Sequence, residues 1–474
     1  MSNVKEIVDS LQEYSTEIIN ECFESRFKNF HHKIIALDDD PTGVQTVHDI
    51  PVFTDWTEET IEQAFDDPRQ LVFILTNSRS FSEEETKKVH TDIAERIARV
   101  SKKKEMPFLL ISRGDSTMRG HYPLETEVLK DTLERKRGDV IDGEIIIPFF
   151  RQGGRLTIGD VHYIQQAETY TPIGETEFAK DRMFGFQSSN LAAYVEEKTA
   201  GQFPKDNVQS VTLEELRNLD LDAIESKLIG LQHFQKLIVN AVTDEDIRVF
   251  CIALYGALSK GKNFLYRTAA TFTKEVANIS SKPYLKAGDL YEKRSANGGL
   301  IIVGSHVQKS TDQLNELKQL KDIEFIEFYC PAVKEDDAFQ RETERVQKLI
   351  NEKIAVGTTV CVYTSRERLD LGEDRREGEL ALSVKISNSV TQFVKKCKHE
   401  PKFVIAKGGI TSSDVGTNGL EVKKAEVLGQ IAPGIPVWQT GNDSQFPGIP
   451  YIIFPGNVGG KETLKEVVTI LEEQ

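Results

Sequence analysis

Three consecutive carboxylates, Asp38-Asp39-Asp40, follow the apolar run Ile34–Leu37 and lead into the turn Pro41-Thr42-Gly43. In an open α/β sheet the carboxyl ends of the strands form the ligand crevice. Acids held there can orient hydroxyls, take a proton or recruit a metal ion. The alternative is an Asp-rich turn whose side chains bond to their own backbone. Two more apolar runs end in related groups. Val72–Leu75 leads into Thr76-Asn77-Ser78-Arg79-Ser80, and Phe108–Ile111 leads into Ser112-Arg113-Gly114-Asp115-Ser116-Thr117-Met118-Arg119-Gly120. Arg79, Arg113 and Arg119 each offer a rigid fork suited to a carboxylate or phosphate. Asn77, Ser78 and Ser116 can hold hydroxyls, while Asp38, Asp39 and Asp115 can accept from them. The set fits a small polyhydroxylated anion. Helix caps at Ser80 and Ser116 with outward ion pairs are the other reading.

The second half of the chain carries phosphate-like signals. Gly304-Ser305 follows the apolar run ending at Val303, and Lys407-Gly408-Gly409-Ile410-Thr411-Ser412 follows another. A third turn, Pro455-Gly456-Asn457-Val458-Gly459, comes after Tyr451–Phe454. Glycines let a backbone approach a phosphate, and Thr411 and Ser412 add hydroxyl donors. Tight turns also need glycine, so each loop alone is weak. No Walker A loop and no dinucleotide fingerprint is present. A polyol-acid pocket in one half and phosphate loops in the other imply phosphoryl transfer, which rests on alignment and charge neutralisation, often through Mg²⁺.

Apolar runs alternate with mixed-charge helical stretches such as 82–102 and 122–137, the rhythm of βαβ units. Residues 3–26 have the periodicity of an added helix. Regularity is lost over 266–297, which ends at Ala296-Asn297-Gly298-Gly299, and a second α/β rhythm begins at 299. The expected fold is α/β, with two Rossmann-like domains whose mainly parallel sheets face a central cleft. The expected division is a leading helix over 1–30, an acid-sugar-binding domain over 31–285 and a nucleotide-binding domain over 286–474. A net charge of -16 over 474 residues argues against capture of nucleic acid or an anionic membrane surface. Five dispersed cysteines lack metal-pair spacing and suit a reducing compartment. A soluble, cytoplasmic protein is expected, with homodimerisation left open. His162 reads equally well as a pocket wall or a packing residue, and 171–181 reads as a lid or substrate-ordering loop.

Together these motifs resemble the four-carbon acid sugar kinase family. The family's Asp-Asp-x-Thr-Gly motif matches Asp39-Asp40-Pro41-Thr42-Gly43, and its Asp-Ser-Thr-x-Arg-Gly motif matches Asp115-Ser116-Thr117-Met118-Arg119-Gly120. Its Gly-Ser turn matches Gly304-Ser305, its Gly-Gly-x-Thr loop Gly408-Gly409-Ile410-Thr411, and its last turn Gly456-Asn457-Val458-Gly459. The resemblance implies an ATP-dependent kinase acting on the terminal hydroxyl of threonate, erythronate or 3-oxo-tetronate. It implies Asp39, or secondarily Asp115, as the catalytic carboxylate, and Asp38, Asn77, Ser78, Arg79, Arg113, Ser116 and Arg119 around the sugar acid. Ser305, Gly408, Gly409, Ile410, Thr411, Gly456 and Asn457 would surround ATP, with Mg²⁺ on its phosphates. Two positions depart from the family. Ser112-Arg113-Gly114 stands where a lysine is usual, and Phe454-Pro455 opens the last turn in place of Lys-Ser. A ligand-binding regulatory protein of the same fold and an oxidoreductase acting on hydroxy acids are the competing readings.

Overall fold

The computed structural model describes residues 4–291, 293–366 and 376–473. In chain order, the first strands are β1 (Lys33–Asp38), β2 (Ile50–Phe53), β3 (Leu71–Leu75), β4 (Phe108–Arg113) and β5 (Gly143–Ile147). They are followed by β6 (Arg155–Ile158), β7 (Val161–Gln166), β8 (Thr169–Pro172), β9 (Gln209–Val211), β10 (Gln235–Val239) and β11 (Phe264–Thr268). The later strands are β12 (Leu300–Val303), β13 (Ile323–Phe328), β14 (Thr359–Thr364) and β15 (Val404–Lys407). Finally come β16 (Lys424–Ala432), β17 (Ile435–Thr440) and β18 (Pro450–Phe454). Two compact units result: Met1–Val47 with Asp55–Ser281, and His48–Thr54 with Lys282–Gln474.

In the first unit the strands run in the order β3-β1-β4-β11-β5-β10-β9, all parallel. Ile34 to Leu37, Val72 to Leu75 and Ile145 to Ile147 are buried throughout, as expected of parallel strands covered on both faces. The helix Glu83–Lys104 is fixed at both ends by sequence. A capping box joins Ser82 and Glu85, with three glutamates in its first turn and three lysines in its last. Strands β6, β7 and β8 form a separate antiparallel sheet. The N-terminal periodicity resolves into two helices, Val4–Ser10 and Thr16–Phe27.

The region read from sequence as irregular after Tyr266 is partly regular. Strand β11 lies between β4 and β5, and the helix Ala270–Val276 follows it. The pattern was hidden because β11 carries a buried arginine, Arg267, whose partners come from distant segments.

The second unit has parallel strands in the order β13-β14-β12-β15-β18, continued antiparallel by β17, β16 and β2. Residues 48–54 fall inside the range read as the first domain, yet β2 pairs with β16 of this unit. Val303, Ile405, Ile452 and Phe454 pack with Leu464, Val467 and Leu471 of the terminal helix Thr463–Glu472 in one core. After β15 comes a short α-helical segment, Gly409–Asp414, running into a wider π turn over Val415–Gly419. No helix among the described residues is long and apolar enough to cross a membrane.

Candidate functional site

The first site is assembled at the ends of β3, β1, β4 and β11, which are consecutive neighbours in the sheet. Strand β1 is paired with β3 on one side and β4 on the other, the kind of switch point where α/β sheets bind ligands. Asp38 closes β1. Its Oδ1 accepts from Arg113 Nη1 at 3.1 Å, and both residues are buried. Burial pushes the Asp38 carboxyl up to about 7 despite the Arg113 charge, with Asp39 and Asp40 adding to the rise. Gly43 is required here, since a Cβ on it would lie 1.9 Å from Asp38 Oδ2.

Asp39 is held by a two-point fork. Arg79 Nη2 donates to its Oδ1 at 2.6 Å and Nε to its Oδ2 at 3.1 Å. Burial still raises the Asp39 carboxyl above the ordinary range, against the pull of Arg79 and Arg267. Asp40 goes the other way. Burial opposes its charge, but Arg79 and two donors from Thr42, the backbone N–H at 2.9 Å and the hydroxyl at 2.5 Å, keep it low.

The loop after β4 is tied to itself and to β11. Asp115 accepts from Arg119 Nε at 2.7 Å and from the Thr117 hydroxyl. Burial is again outweighed, by Arg79, Arg119 and Thr117, and Asp115 is held far below the usual carboxylate range. Arg119 also sits 4.9 Å from the Phe178 ring centroid and 3.9 Å from Asp181, so part of the segment read as a lid or substrate-ordering loop packs on this loop. Ser116 is fixed through its carbonyl, which lies 2.9 Å from His162 Nε2, while Thr157 Oγ1 lies 3.0 Å from Nδ1. Burial takes His162 down to about 4, so it is a neutral anchor for the loop. Ser78 donates to Glu125 at 2.7 Å, and Asn77 takes a left-handed backbone, φ 57°, at the start of the turn.

Arg267 was not singled out from the sequence. Its Nη2 donates to the Arg119 carbonyl at 2.8 Å, and its charge faces Glu125 and Asp39. Its Nη1 lies 1.1 Å from where a Gly114 Cβ would stand, so the glycine makes room for the guanidinium. Gly120, at φ 116°, brings its backbone against the same arginine and Asp39. Arg113 Nε and Arg267 Nη1 are buried without a hydrogen-bond partner among the described residues. The structure therefore brings Asp38, Asp39, Arg79, Arg113, Asp115 and Arg119 into one cluster of alternating charges, with Ser116 on the same loop as Asp115 and Arg119. Most of its cations already neutralise its own acids.

The second site lies at the ends of β12, β15 and β18, again consecutive strands. A Cβ on Gly304 would meet Thr411 Oγ1 at 2.3 Å, and one on Gly456 would meet Ser305 Oγ at 2.8 Å. Gly408, at φ 128°, approaches both Ser305 and Thr411. Three turns far apart in sequence thus share one small space that only glycine backbones leave open. Gly409 has open space around it, and Ile410 is 69% exposed beside it. The Asn457 carbonyl accepts from Lys309 Nζ at 3.1 Å and the Gly456 carbonyl from Ser310 at 3.0 Å. Arg366 donates to the Ser305 carbonyl. Among the described residues, no group of three or more His, Cys, Asp or Glu is arranged to hold a metal ion.

The two sites fit a protein that binds a sugar-like anion with one domain and a nucleotide with the other. Residues 34–276 match the model of a sugar-binding N-terminal domain, and residues 300–464 match that of a nucleotide-binding C-terminal domain. The chain belongs to the four-carbon acid sugar kinase family. A Haemophilus influenzae protein of the DUF1537 family has a similar structure, with TM-score 0.62 and 15% identity, covering 92% of this chain and 100% of that one. A Salmonella typhimurium LT2 protein, provisionally named a tRNA synthase, gives TM-score 0.66 and 14% identity over 91% of this chain and 98% of that one. At such identities the likeness concerns the fold. No curated protein matches the sequence significantly.

Proposed function

We propose that this protein is an ATP-dependent kinase that phosphorylates the terminal hydroxyl of a four-carbon acid sugar. The observation that carries the reading is the presence, in one chain, of an acid–arginine cluster within a sugar-binding domain and a glycine cradle within a nucleotide-binding domain. Asp39 is the carboxylate assigned to the attacking hydroxyl. Its raised proton affinity suits a base, and its fork to Arg79 fixes its orientation. Asp115 is too acidic and too fully bonded for that task and serves to order its loop. Asp38, capped by Gly43, sets the turn that presents Asp39.

Arg113, Arg119, Ser116 and Asn77 are the groups offered to the carboxylate and hydroxyls of the sugar acid, and Ser78 supports them through Glu125. In the second unit Ser305, Gly408, Gly409, Thr411, Gly456 and Asn457 would enclose the nucleotide phosphates, with exposed Ile410 offering an apolar surface to the base. Mg²⁺, carried on the phosphates, would neutralise charge during transfer.

The test is product detection by mass spectrometry with purified protein, Mg²⁺-ATP and a panel of threonates, erythronates, 3-oxo-tetronates and longer aldonates. One saturable phosphorylated product is expected, with turnover reduced about 100-fold or more by Asp39→Asn while ATP affinity is retained. Tight sugar-acid binding without ATP consumption would instead select a regulatory binding protein.

A further inference from the structure

One cation in the second unit lacks the paired carboxylate that buried Arg113, Lys236 and Lys274 have in the first. Lys407 is the last residue of β15 and is fully buried. Its Nζ donates to the Pro455 carbonyl at 3.1 Å and lies 3.9 Å from the ring centroid of Phe454, its cross-strand neighbour. No carboxylate pairs with it among the described residues. The charged group facing it is Lys309, on the helix Gln308–Leu317, which itself donates to Asn457 of the same turn. Two ammonium groups from different elements therefore converge on the carbonyls of the turn 455–457. An ammonium buried with only a carbonyl, a ring and a like charge around it is unfavourable. An anion placed between the two lysines would remove that strain.

Lys407 directly precedes Gly408, and its backbone carbonyl accepts from the N–H groups of Gly304 and Ser305 at 3.2 and 3.3 Å, so the residue borders the cradle formed with Thr411 and Gly456. We propose that Lys407, with Lys309 beside it, binds the phosphate groups of the nucleotide, so that a turn without a basic side chain of its own is charged from the neighbouring strand and helix. This rests on the nucleotide-binding reading above. Burial first, and then Lys309, bring the Lys407 ammonium down to about 7. A bound phosphate favours the charged form, so nucleotide binding should draw a proton onto the protein above that pH.

The experiment is isothermal titration calorimetry of the full chain with ATP and with adenosine, at pH 6.5 and 8.5, in buffers of different ionisation enthalpy. Wild type is expected to bind ATP more weakly at the higher pH, with proton uptake. Lys407→Met should lose about 10- to 100-fold in ATP affinity, the range for a charged hydrogen bond, together with the proton uptake, while adenosine binding is unchanged. Lys309→Met should give a smaller loss. ATP affinity within two-fold of wild type and unchanged proton uptake in Lys407→Met would reduce Lys407 to a staple of the turn and overturn the proposal. Should that variant not fold, wild-type binding without proton uptake, with Lys309→Met unchanged, would overturn it equally. If wild type binds neither ATP nor adenosine, the nucleotide reading itself falls and takes this inference with it.

Discussion

Arg267 offers the sharpest test of how the first site is held together. Replacing it with leucine removes the hydrogen bond to the Arg119 carbonyl and the charge that faces both Glu125 and Asp39. Arg267 and Asp39 are only 4% and 3% exposed, so solvent screens this little. A charged hydrogen bond is worth about 1.5–3 kcal/mol. Stranding a buried charge outright costs about 3–5 kcal/mol, but Asp39 keeps its fork to Arg79, so the charged hydrogen bond sets the scale. Arg267→Leu should therefore lower stability by about 1.5–3 kcal/mol near pH 8.

The sign of the pH dependence follows from Asp39. Its folded-state pKa already lies above the unfolded value, so ionising it weakens the fold, progressively as pH rises from the unfolded to the folded pKa. Without Arg267 the folded value moves higher, and the loss continues over a wider range. The gap between variant and wild type must then be larger at pH 8 than at pH 5, where protonation spares the variant. Urea unfolding of wild type, Arg267→Leu and Arg267→Lys at both pH values measures this, with the lysine variant expected between the other two. A loss below about 1 kcal/mol, or a gap independent of pH, would refute the electrostatic account of this cluster.

Three other outcomes are expected. Gly43→Ala and Gly114→Ala should each lose about 2–3 kcal/mol of stability and most sugar-acid binding, because their Cβ atoms would overlap Asp38 and Arg267; thermal unfolding and calorimetry with a tetronate check this. Lys236 and Glu144, both fully buried and 2.6 Å apart, should lose about 3–5 kcal/mol when Lys236→Met removes one partner, and part should return in the Lys236→Met/Glu144→Gln pair. Buried His162, held neutral by a pKa near 4, stays unprotonated in the fold while the unfolded chain takes up a proton below about 6.5. Wild type should thus shed up to about 3 kcal/mol between pH 7 and 4 through this group, a contribution His162→Gln lacks; denaturant midpoints across that range would show no difference if the reasoning fails.

How much of this was legible in the sequence depended on where each residue finds its partners. Ile34–Leu37 and Val72–Leu75 announce buried strands because their neighbours are apolar on both faces, and the acids that follow are displayed by the same short segments. The hairpin β16–β17 is written in its sequence as well. Residues 424–432 alternate half-buried and buried positions, the period-two signal of a strand, and Pro433-Gly434 marks its turn. Arg267 was not readable in this way. Nothing local in Phe264-Leu265-Tyr266-Arg267-Thr268 says that its arginine will meet a carbonyl from the loop after β4 and the acid after β1.

Lys407 makes the same point about function. Along the chain, the last glycine turn has Phe454 where the family usually carries a lysine. Across the sheet the charge is still there, since Lys407 is the register partner of Phe454 and places its ammonium on Pro455. Two side chains that face each other on parallel strands can exchange roles without moving the charge far, provided the lysine's new neighbour is flat enough to lie beneath it. Phe454 meets that condition, with its ring centroid 3.9 Å from the ammonium. The departure at the turn is therefore consistent with a retained nucleotide site. On the proposal made for Lys407, the site takes its ammonium at a point in space, and more than one position in the sequence can deliver it.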